Sequence, residues 1–464
     1  MAPSPTGNLH LGTAYTTLFN YLFAKRMQGA FILRIEDTDR ERSKLEFEEN
    51  ILDGLKWLNL NWDEGPYRQS ERLENYQKAA LKLVAEGKAY RCFCSKEDLD
   101  KEREDRQKLN LSLVYSGKCR NLSDEEIKTN LEMSKPAAIR FKMPEDRGEI
   151  SFEDLIHGKI SFDSKLLGDM VILRSNQTPL YNFSVVVDDV DMQITHVLRG
   201  DDHLSNTPKQ IVLFEALNAK VPEFAHWPSI LNPDRIGKLS KRNNATSIDD
   251  YKKLGFLSEA IVNYLALLGW TFPEDKEIMS LKDMEENFDL KKMRLSPAAF
   301  NMEKFEWMNG EYIRNLLDEE LLKRLQEFLV DHPDKDKIEK VVPLIKDRIK
   351  KLSEFIPLTD FLFNTPEYDI KVFEKLNIKN PKEVLGKVLE KLTNMEKPWK
   401  ANIFEQTFRD LAKEEGLQAA QFFQLLRAAV SGQLITPPLF ESIQILGEDE
   451  TEKRIKKAID IFTN

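Results

Sequence analysis

Two short segments carry residues suited to handling phosphate. The first is Pro3-Ser4-Pro5-Thr6-Gly7-Asn8-Leu9-His10-Leu11-Gly12-Thr13. A Pro/Gly loop runs straight into a helical pattern, and the unpaired N–H groups of a helix N-terminus form a ready site for phosphate oxygens. His10 offers a nucleotide a hydrogen bond, and Gly12 lets the backbone come close to a ligand. An ordinary surface loop before a helix has the same composition, and the segment alone does not separate the two. The second segment is Lys238-Leu239-Ser240-Lys241-Arg242. Its lysines suit charge that develops on phosphate in a transition state, although short basic loops are common. A third segment holds every cysteine of the chain, Cys92, Cys94 and Cys119, with Tyr115 close by. Three thiolates and one further ligand make a tetrahedral zinc site. Three buried or free thiols are the plain alternative, and an odd cysteine count argues against a disulfide framework.

The elements that must position these residues alternate between helix and strand. Tyr15, Leu18, Phe19, Leu22 and Phe23 recur at spacings of three and four and predict a helix that ends at Gly29. Ala30 to Leu33 reads as a strand, and it runs into Glu36-Asp37-Thr38-Asp39. Polar groups at a strand's carboxyl end are where open parallel sheets place ligands. Residues from about 70 to 165 break the rhythm and read as an insertion. Met170 to Leu173, Phe183 to Val187 and Ile194 to Leu198 then predict buried strands. Ser205 or Asn206 suits the cap of a helix starting near Pro208, and Trp227 to Leu231 reads as a further strand. Beyond about residue 248 the pattern is helical. Ala260 to Leu268 and Leu316 to Leu329 are its clearest stretches.

The chain's 464 residues correspond to about three domains. With 41% hydrophobic and 31% charged residues it has the composition of a globular protein with several modest cores. No apolar run is long enough to span a membrane, and the start lacks a secretory pattern, so the expected setting is the cytoplasm. The net charge of −10 argues weakly against nucleic acid, but a basic face can coexist with an acidic remainder.

Taken together, in this order and more than two hundred residues apart, the first two segments resemble the HIGH and KMSKS signatures of the class I aminoacyl-tRNA synthetases. Finer detail resembles the bacterial-type glutamyl enzymes, over nearly the whole chain. The stretches that carry this are Pro3 to Thr13, Ile35 to Asp39, Val186-Val187-Asp188-Asp189, Arg199-Gly200-Asp201-Asp202-His203 and Trp307-Met308-Asn309-Gly310.

The resemblance implies a doubly wound, Rossmann-type α/β catalytic domain over residues 1–310. An acceptor-binding domain would be inserted at about 70–165 and a stem-contact segment would cover about 243–310. An all-α anticodon-binding region would follow over 311–464. It implies ATP-dependent activation of L-glutamate to glutamyl-adenylate and transfer to the 3′ end of tRNA(Glu), with tRNA(Gln) a further candidate partner. Mg²⁺ and Zn²⁺ would be the cofactors and a monomer the expected state. His10, Gly12, Lys238 and Lys241 would act on ATP, with Pro3, Thr6, Gly7, Asp202, His203 and Ser240 lining its site. Ser4, Glu36, Tyr181 and Arg199 would hold the amino acid. Arg offers a planar fork to a carboxylate, which suits Arg199, although without the surrounding motifs a salt bridge to Asp201 or Asp202 would be the simpler reading. Cys92, Cys94, Tyr115 and Cys119 would bind zinc. The histidine some relatives carry nearby is Asn121 here. Arg348 to Phe355 resembles the region where discriminating enzymes read the third anticodon base.

One departure stands out. In the family a strand ending in an Arg precedes the Pro-Ser-Pro-Thr-Gly loop, whereas here only Met1 and Ala2 do. This predicts a truncated or misassigned start, with unpaired backbone groups on the neighbouring strands. Three other readings share parts of the pattern. A glutaminyl enzyme would carry β-barrels where residues after about 310 read as helical. A shorter relative that modifies a tRNA base would lack the C-terminal region. A non-catalytic tRNA-binding paralogue would have no need of His10, Lys238 and Lys241.

Overall fold

The computed structural model describes residues 1–145, 147–239, 247–330, 334–395 and 399–462. The chain divides into two compact units. One is Met1–Asp250 with Ile261–Asn301, and the other is Tyr251–Ala260 with Met302–Asn464.

In chain order, the first unit contains helix α1 (Leu11–Arg26), strand β1 (Ile32–Ile35), α2 (Leu45–Trp57), β2 (Glu64–Arg68), α3 (Leu73–Ala85) and β3 (Ala89–Cys92). There follow α4 (Lys96–Lys108), α5 (Asp124–Glu132), β4 (Ala138–Phe141), β5 (Glu149–Asp154), β6 (Gly158–Asp163) and β7 (Val171–Leu173). Then come α6 (Tyr181–Asp191), β8 (His196–Gly200), α7 (Thr207–Ala216) and β9 (Glu223–Trp227), and the later stretch of the unit adds a helix at Leu281–Asn287. β1–α2–β2 and β8–α7–β9 are βαβ units with parallel strands, the building block of a doubly wound fold. The strands form sheets of order β1-β2, β3-β4-β7 and β6-β5-β9-β8. The β5–β6 hairpin of the expected insertion thus adds itself to the sheet that carries β8 and β9, through parallel pairing of Asp154 with Phe224.

α1 forms as its apolar stripe predicts, burying Leu11, Ala14, Tyr15, Leu18, Phe19 and Leu22. It ends at Arg26, and the left-handed residue that stops it is Gln28, at φ 54°, not Gly29. Met1 to Pro3 lie along an edge of β1. The Met1 ammonium donates to the Ile32 carbonyl at 2.7 Å, and the N–H groups of Arg34 and Glu36 donate to the carbonyls of Met1 and Pro3 at 2.9 Å each. That edge of β1 is therefore partly paired.

Two expected strands differ. Phe183 to Val187 lies inside helix α6. An apolar run this short does not distinguish a buried strand from a helix buried on several sides. The helix wins because it points Asp188 at α3 and the turn before it, where the Gln69 amide (2.8 Å) and Arg72 Nε (2.7 Å) of the turn and the Tyr76 hydroxyl of α3 (3.0 Å) all donate to it. Phe183 and Val186 go into the core with Tyr76, Leu83, Ile139 and Leu213, each worth about 1.5–3 kcal/mol of buried apolar surface. The strand expected over Trp227 to Leu231 ends at Trp227, where Pro228 removes the next backbone donor.

In the second unit all the regular elements among the described residues are helical, from Met302–Asn315 to Glu448–Ile461. Ile313, Leu325, Val341 and Phe355 anchor one core, and Phe404, Phe408, Phe422, Leu426 and Phe440 another. The Trp307-to-Gly310 stretch lies on the first of these helices. Its fully buried Asn309 accepts from Leu257 N–H at 2.8 Å and donates to the Lys350 carbonyl at 2.5 Å. The Asn is thus a structural tie.

Candidate functional site

A cavity of about 1040 Å³ opens at the carboxyl ends of β1, β8 and β9. Glu36 follows β1, Asp202 and His203 follow β8, and Pro228 to Ile230 follow β9, and all of them line it. The start of α1 forms another wall. His10 is the N-cap residue, and its ring accepts from Thr13 N–H at 3.3 Å. A methyl group on Gly12 would sit 3.2 Å from the His10 ring, so the glycine leaves the imidazole its place.

Two buried arginines face this region in opposite electrostatic settings. Arg34 bonds Asp189 at 2.7 Å, with Asp188 at 3.6 Å and Glu36 at 3.8 Å. Burial alone would lower its pKa, but these carboxylates raise it instead. Glu36 has 12% of its side chain exposed. Burial, aided by Asp189 and Asp188 and opposed by Arg34, pushes its carboxyl up to about 7.

Arg199 has no ion-pair partner among the described residues. Its Nε donates to His226 Nε2 at 3.1 Å and its Nη2 to the Thr207 hydroxyl at 2.8 Å, both neutral acceptors. Burial pulls its pKa down, against the pull of Tyr181, Asp189 and Glu36. The simpler reading, a salt bridge to Asp201 or Asp202, does not hold. Asp202 pairs with Lys238 at 3.0 Å. An isolated buried charge is costly, and an anion beside Arg199 would offset that cost. Beside it the Tyr181 hydroxyl lies 3.2 Å from His203 Nδ1.

The cavity therefore gathers Pro3, Ser4, His10, Gly12, Glu36, Tyr181, Arg199, Asp202, His203 and Lys238. Thr6 and Gly7 lie outside its lining. Ser240 and Lys241 lie outside the described residues. Sequence reasoning missed Arg34, His226 and Asp154, and it named Asp189 in a family-like stretch without giving it a role. Arg34 was within reach, because it stands two residues before Glu36 on one strand face. The pair of His226 and Asp154, 72 residues apart, has no local signal.

The cysteines converge at one edge of the β3-β4-β7 sheet. The three sulfur atoms lie within 4.8 Å of one another. Cys94 Sγ is 3.6 Å from Cys119 Sγ and 3.3 Å from the Tyr115 oxygen, and Cys92 Sγ is 3.6 Å from that oxygen. Sulfurs about 2.3 Å from a shared zinc would stand about 3.8 Å apart, so the donor set fits the ion, whereas a disulfide would need about 2.05 Å. The Arg140 guanidinium donates to Cys92 Sγ at 3.3 Å and stacks 3.9 Å over the Tyr115 ring. Burial raises the Cys92 thiol, but the hydrogen bonds it accepts from Arg140, the Cys94 backbone and Tyr115, together with the Arg140 charge, outweigh this and hold it below the usual range.

In the second unit Arg348 is exposed and donates to the Thr436 carbonyl at 3.4 Å. Arg427 lines a separate concavity with Lys400, Arg409 and Phe423. Its pKa is lowered by burial and by the charge of Arg348.

A family model described as tRNA synthetases class I (E and Q), catalytic domain, matches residues 1–307. Another, described as an anticodon binding domain, matches residues 320–459. The chain belongs to the class I tRNA synthetases of this E and Q group. Its relatives narrow the group. Glutamate–tRNA ligase 2 of Caldicellulosiruptor saccharolyticus is 43% identical over 99% of this chain and 98% of its own length. Glutamate–tRNA ligase of Aquifex aeolicus is 45% identical over 99% and 98%. A crystal structure of a glutamate tRNA ligase from Elizabethkingia meningosepticum in complex with its amino acid matches with a TM-score of 0.89. That protein is 34% identical, over 99% of this chain and 98% of its own. No helix among the described residues is long and apolar enough to cross a membrane.

Proposed function

We propose that this chain is an ATP-dependent glutamate–tRNA ligase. One oxygen of the glutamate α-carboxylate attacks the α-phosphorus of ATP, and the bond to the β-phosphate oxygen breaks to release pyrophosphate. A hydroxyl of the terminal tRNA ribose then attacks the acyl carbon of the adenylate, loses its proton, and AMP leaves. No covalent enzyme intermediate is required, so the residues act by positioning and by stabilising charge.

The observation that carries this reading is Arg199, a buried guanidinium held by neutral acceptors in a cavity shared with the helix start at His10. Arg199 and Tyr181 receive the side-chain carboxylate of glutamate. Ser4 and the ionised Glu36 receive its ammonium group. Pro3, Thr6, Gly7, His10, Gly12, Asp202 and His203 hold the nucleotide. Lys238, Ser240 and Lys241 hold its phosphates together with the Mg²⁺ that accompanies ATP. Cys92, Cys94, Tyr115 and Cys119 hold zinc, a structural ion that fixes the fold of its segment. Residues 1–310 act as the catalytic domain, with the acceptor-binding insertion at about 70–165 and the stem contact at about 243–310. Residues 311–464 meet the anticodon, and Arg348 and Arg427 offer charge for its backbone or bases. The protein works as a monomer in the cytoplasm, with tRNA(Glu) as partner. Charging of tRNA(Gln) is decided by presenting both tRNAs.

The test is pyrophosphate exchange with tRNA present. Exchange that needs glutamate, is lost with glutamine and falls on the order of a hundredfold in kcat for Lys241→Ala supports the reading. Exchange driven equally by glutamine, or none with any amino acid, overturns it.

A further inference from the structure

We infer that Asp154 and His226 are positioning residues that set the direction of Arg199, and with it the preference for a carboxylate-bearing substrate. The inference rests on the proposed role of Arg199 at the substrate side chain. His226 and Asp154 are both completely buried, at 0% side-chain exposure. His226 Nδ1 stands 2.6 Å from Asp154 Oδ2. The other carboxylate oxygen accepts from the N–H groups of Ile156 and His157, at 3.0 Å each. Those backbone donors fix which way the carboxylate faces. An ionised carboxylate accepts only, so Nδ1 must carry the ring proton, and Nε2 is left as an acceptor. Arg199 Nε–H, 3.1 Å away, donates to that acceptor. The Thr207 hydroxyl lies 3.1 Å from the same nitrogen and takes the Nη2 hydrogen bond of Arg199 at 2.8 Å.

The arrangement uses the tautomer of one histidine to hold a guanidinium without neutralising it. A carboxylate in direct contact would fix Arg199 equally well but would quench the charge that a substrate must feel. Burial and the nearby Arg199 keep His226 below its ordinary pKa, against the pull of Asp154. The ring therefore stays neutral in the physiological range and adds no rival charge. Asp154 acts at one remove. Its carboxylate bonds Ile156, His157 and His226, none of which lines the cavity, yet it decides whether the ring presents a lone pair or a proton.

Asp154→Asn separates this role from general support of the fold. The amide oxygen keeps the two backbone donors, and the amide nitrogen then faces Nδ1 as a donor. The ring proton moves to Nε2, where it meets Arg199 Nε–H head on. His226→Phe removes the acceptor while filling the volume. Both variants, with Arg199→Lys as reference, are assayed by pyrophosphate exchange with tRNA present, and ¹⁵N shifts of His226 report the tautomer. The KM for glutamate should rise at least about tenfold in both, the scale of one hydrogen bond to a charged group. The KM for ATP should stay within about twofold, because only side-chain recognition is touched. The ¹⁵N spectrum of Asp154→Asn should show Nε2 protonated. If Arg199→Lys leaves the KM for glutamate unchanged, the reading of Arg199 itself fails. If Arg199→Lys raises it and a folded Asp154→Asn or His226→Phe does not, Arg199 stands and the positioning role is overturned. A rise in both KM values together also overturns it, since that marks general disturbance of the site.

Discussion

Arg34 and Arg199 are two buried guanidinium groups lining one cavity, and they differ in what surrounds them. Arg34 is enclosed by carboxylates, which reverse the effect of burial on its pKa. Arg199 is held by an imidazole and a hydroxyl, and burial prevails. Counting buried charges would treat them alike. Counting their partners separates an arginine that holds the fold from one that keeps its charge available for a ligand.

Truncation should break this contrast most sharply at Arg199. Arg199→Ala should lower kcat/KM for glutamate on the order of a thousandfold, the cost of unpairing a buried ligand charge. The melting temperature should hardly fall, since no internal ion pair is lost. A large drop in melting temperature with kcat/KM intact would reverse the assignment of the two arginines. Arg34→Met should do the opposite, and urea titration should show the folded state weakened by about 3 kcal/mol. The cause is the crowding of Asp188, Asp189 and Glu36 without their cation.

Acidity sharpens the contrast through Glu36. Its carboxyl is raised from 4.5 to about 7, so the folded state takes up a proton more readily than the unfolded one. The stabilisation from that proton is complete below about pH 4.5 and is lost as pH rises to about 7. Binding of an ammonium group needs the ionised form. The KM for glutamate should therefore fall as pH rises from about 6 to about 8, by at most about tenfold per unit, and Glu36→Gln should flatten the profile. A wild-type profile that is already flat removes Glu36 from the ammonium site. The smallest effect on activation chemistry is expected at the cysteines. Protein as purified should carry about one zinc per chain. Cys119→Ala should lose it and speed hydrogen exchange over residues 92–120, with amino-acid activation within a few-fold of wild type. Zinc content unchanged in that variant would exclude Cys119 as a ligand.

Much of this was legible in the sequence where chemistry and local pattern coincide. The loop before α1, the carboxylate after β1 and the clustered cysteines announce themselves by spacing. Family-like stretches proved less uniform in meaning. Asp37 is tied to Ser70, accepting from its N–H at 2.8 Å. Asp188 is spent on Gln69, Arg72 and Tyr76, and Asn309 on Leu257 and Lys350. These residues resemble a functional signature because the fold needs them. The run at Phe183 to Val187 misled because a helix packed on several sides loses its periodicity. Asp154 and His226 were invisible because their meaning depends on a contact that only the folded sheet creates.

The pairing of Asp154 with Phe224 also bears on how the molecule assembles. β5 reaches β9 across 70 residues of chain, and long-range parallel contacts of this kind are slow to form because loop closure comes before the gain from pairing. Arg199 is oriented only once β5 has docked. The hairpin is thus a clasp whose closing completes the substrate pocket. In refolding followed by stopped flow, burial of the β8–β9 core should precede the recovery of glutamate binding, and the two should be separated by the step in which the clasp engages.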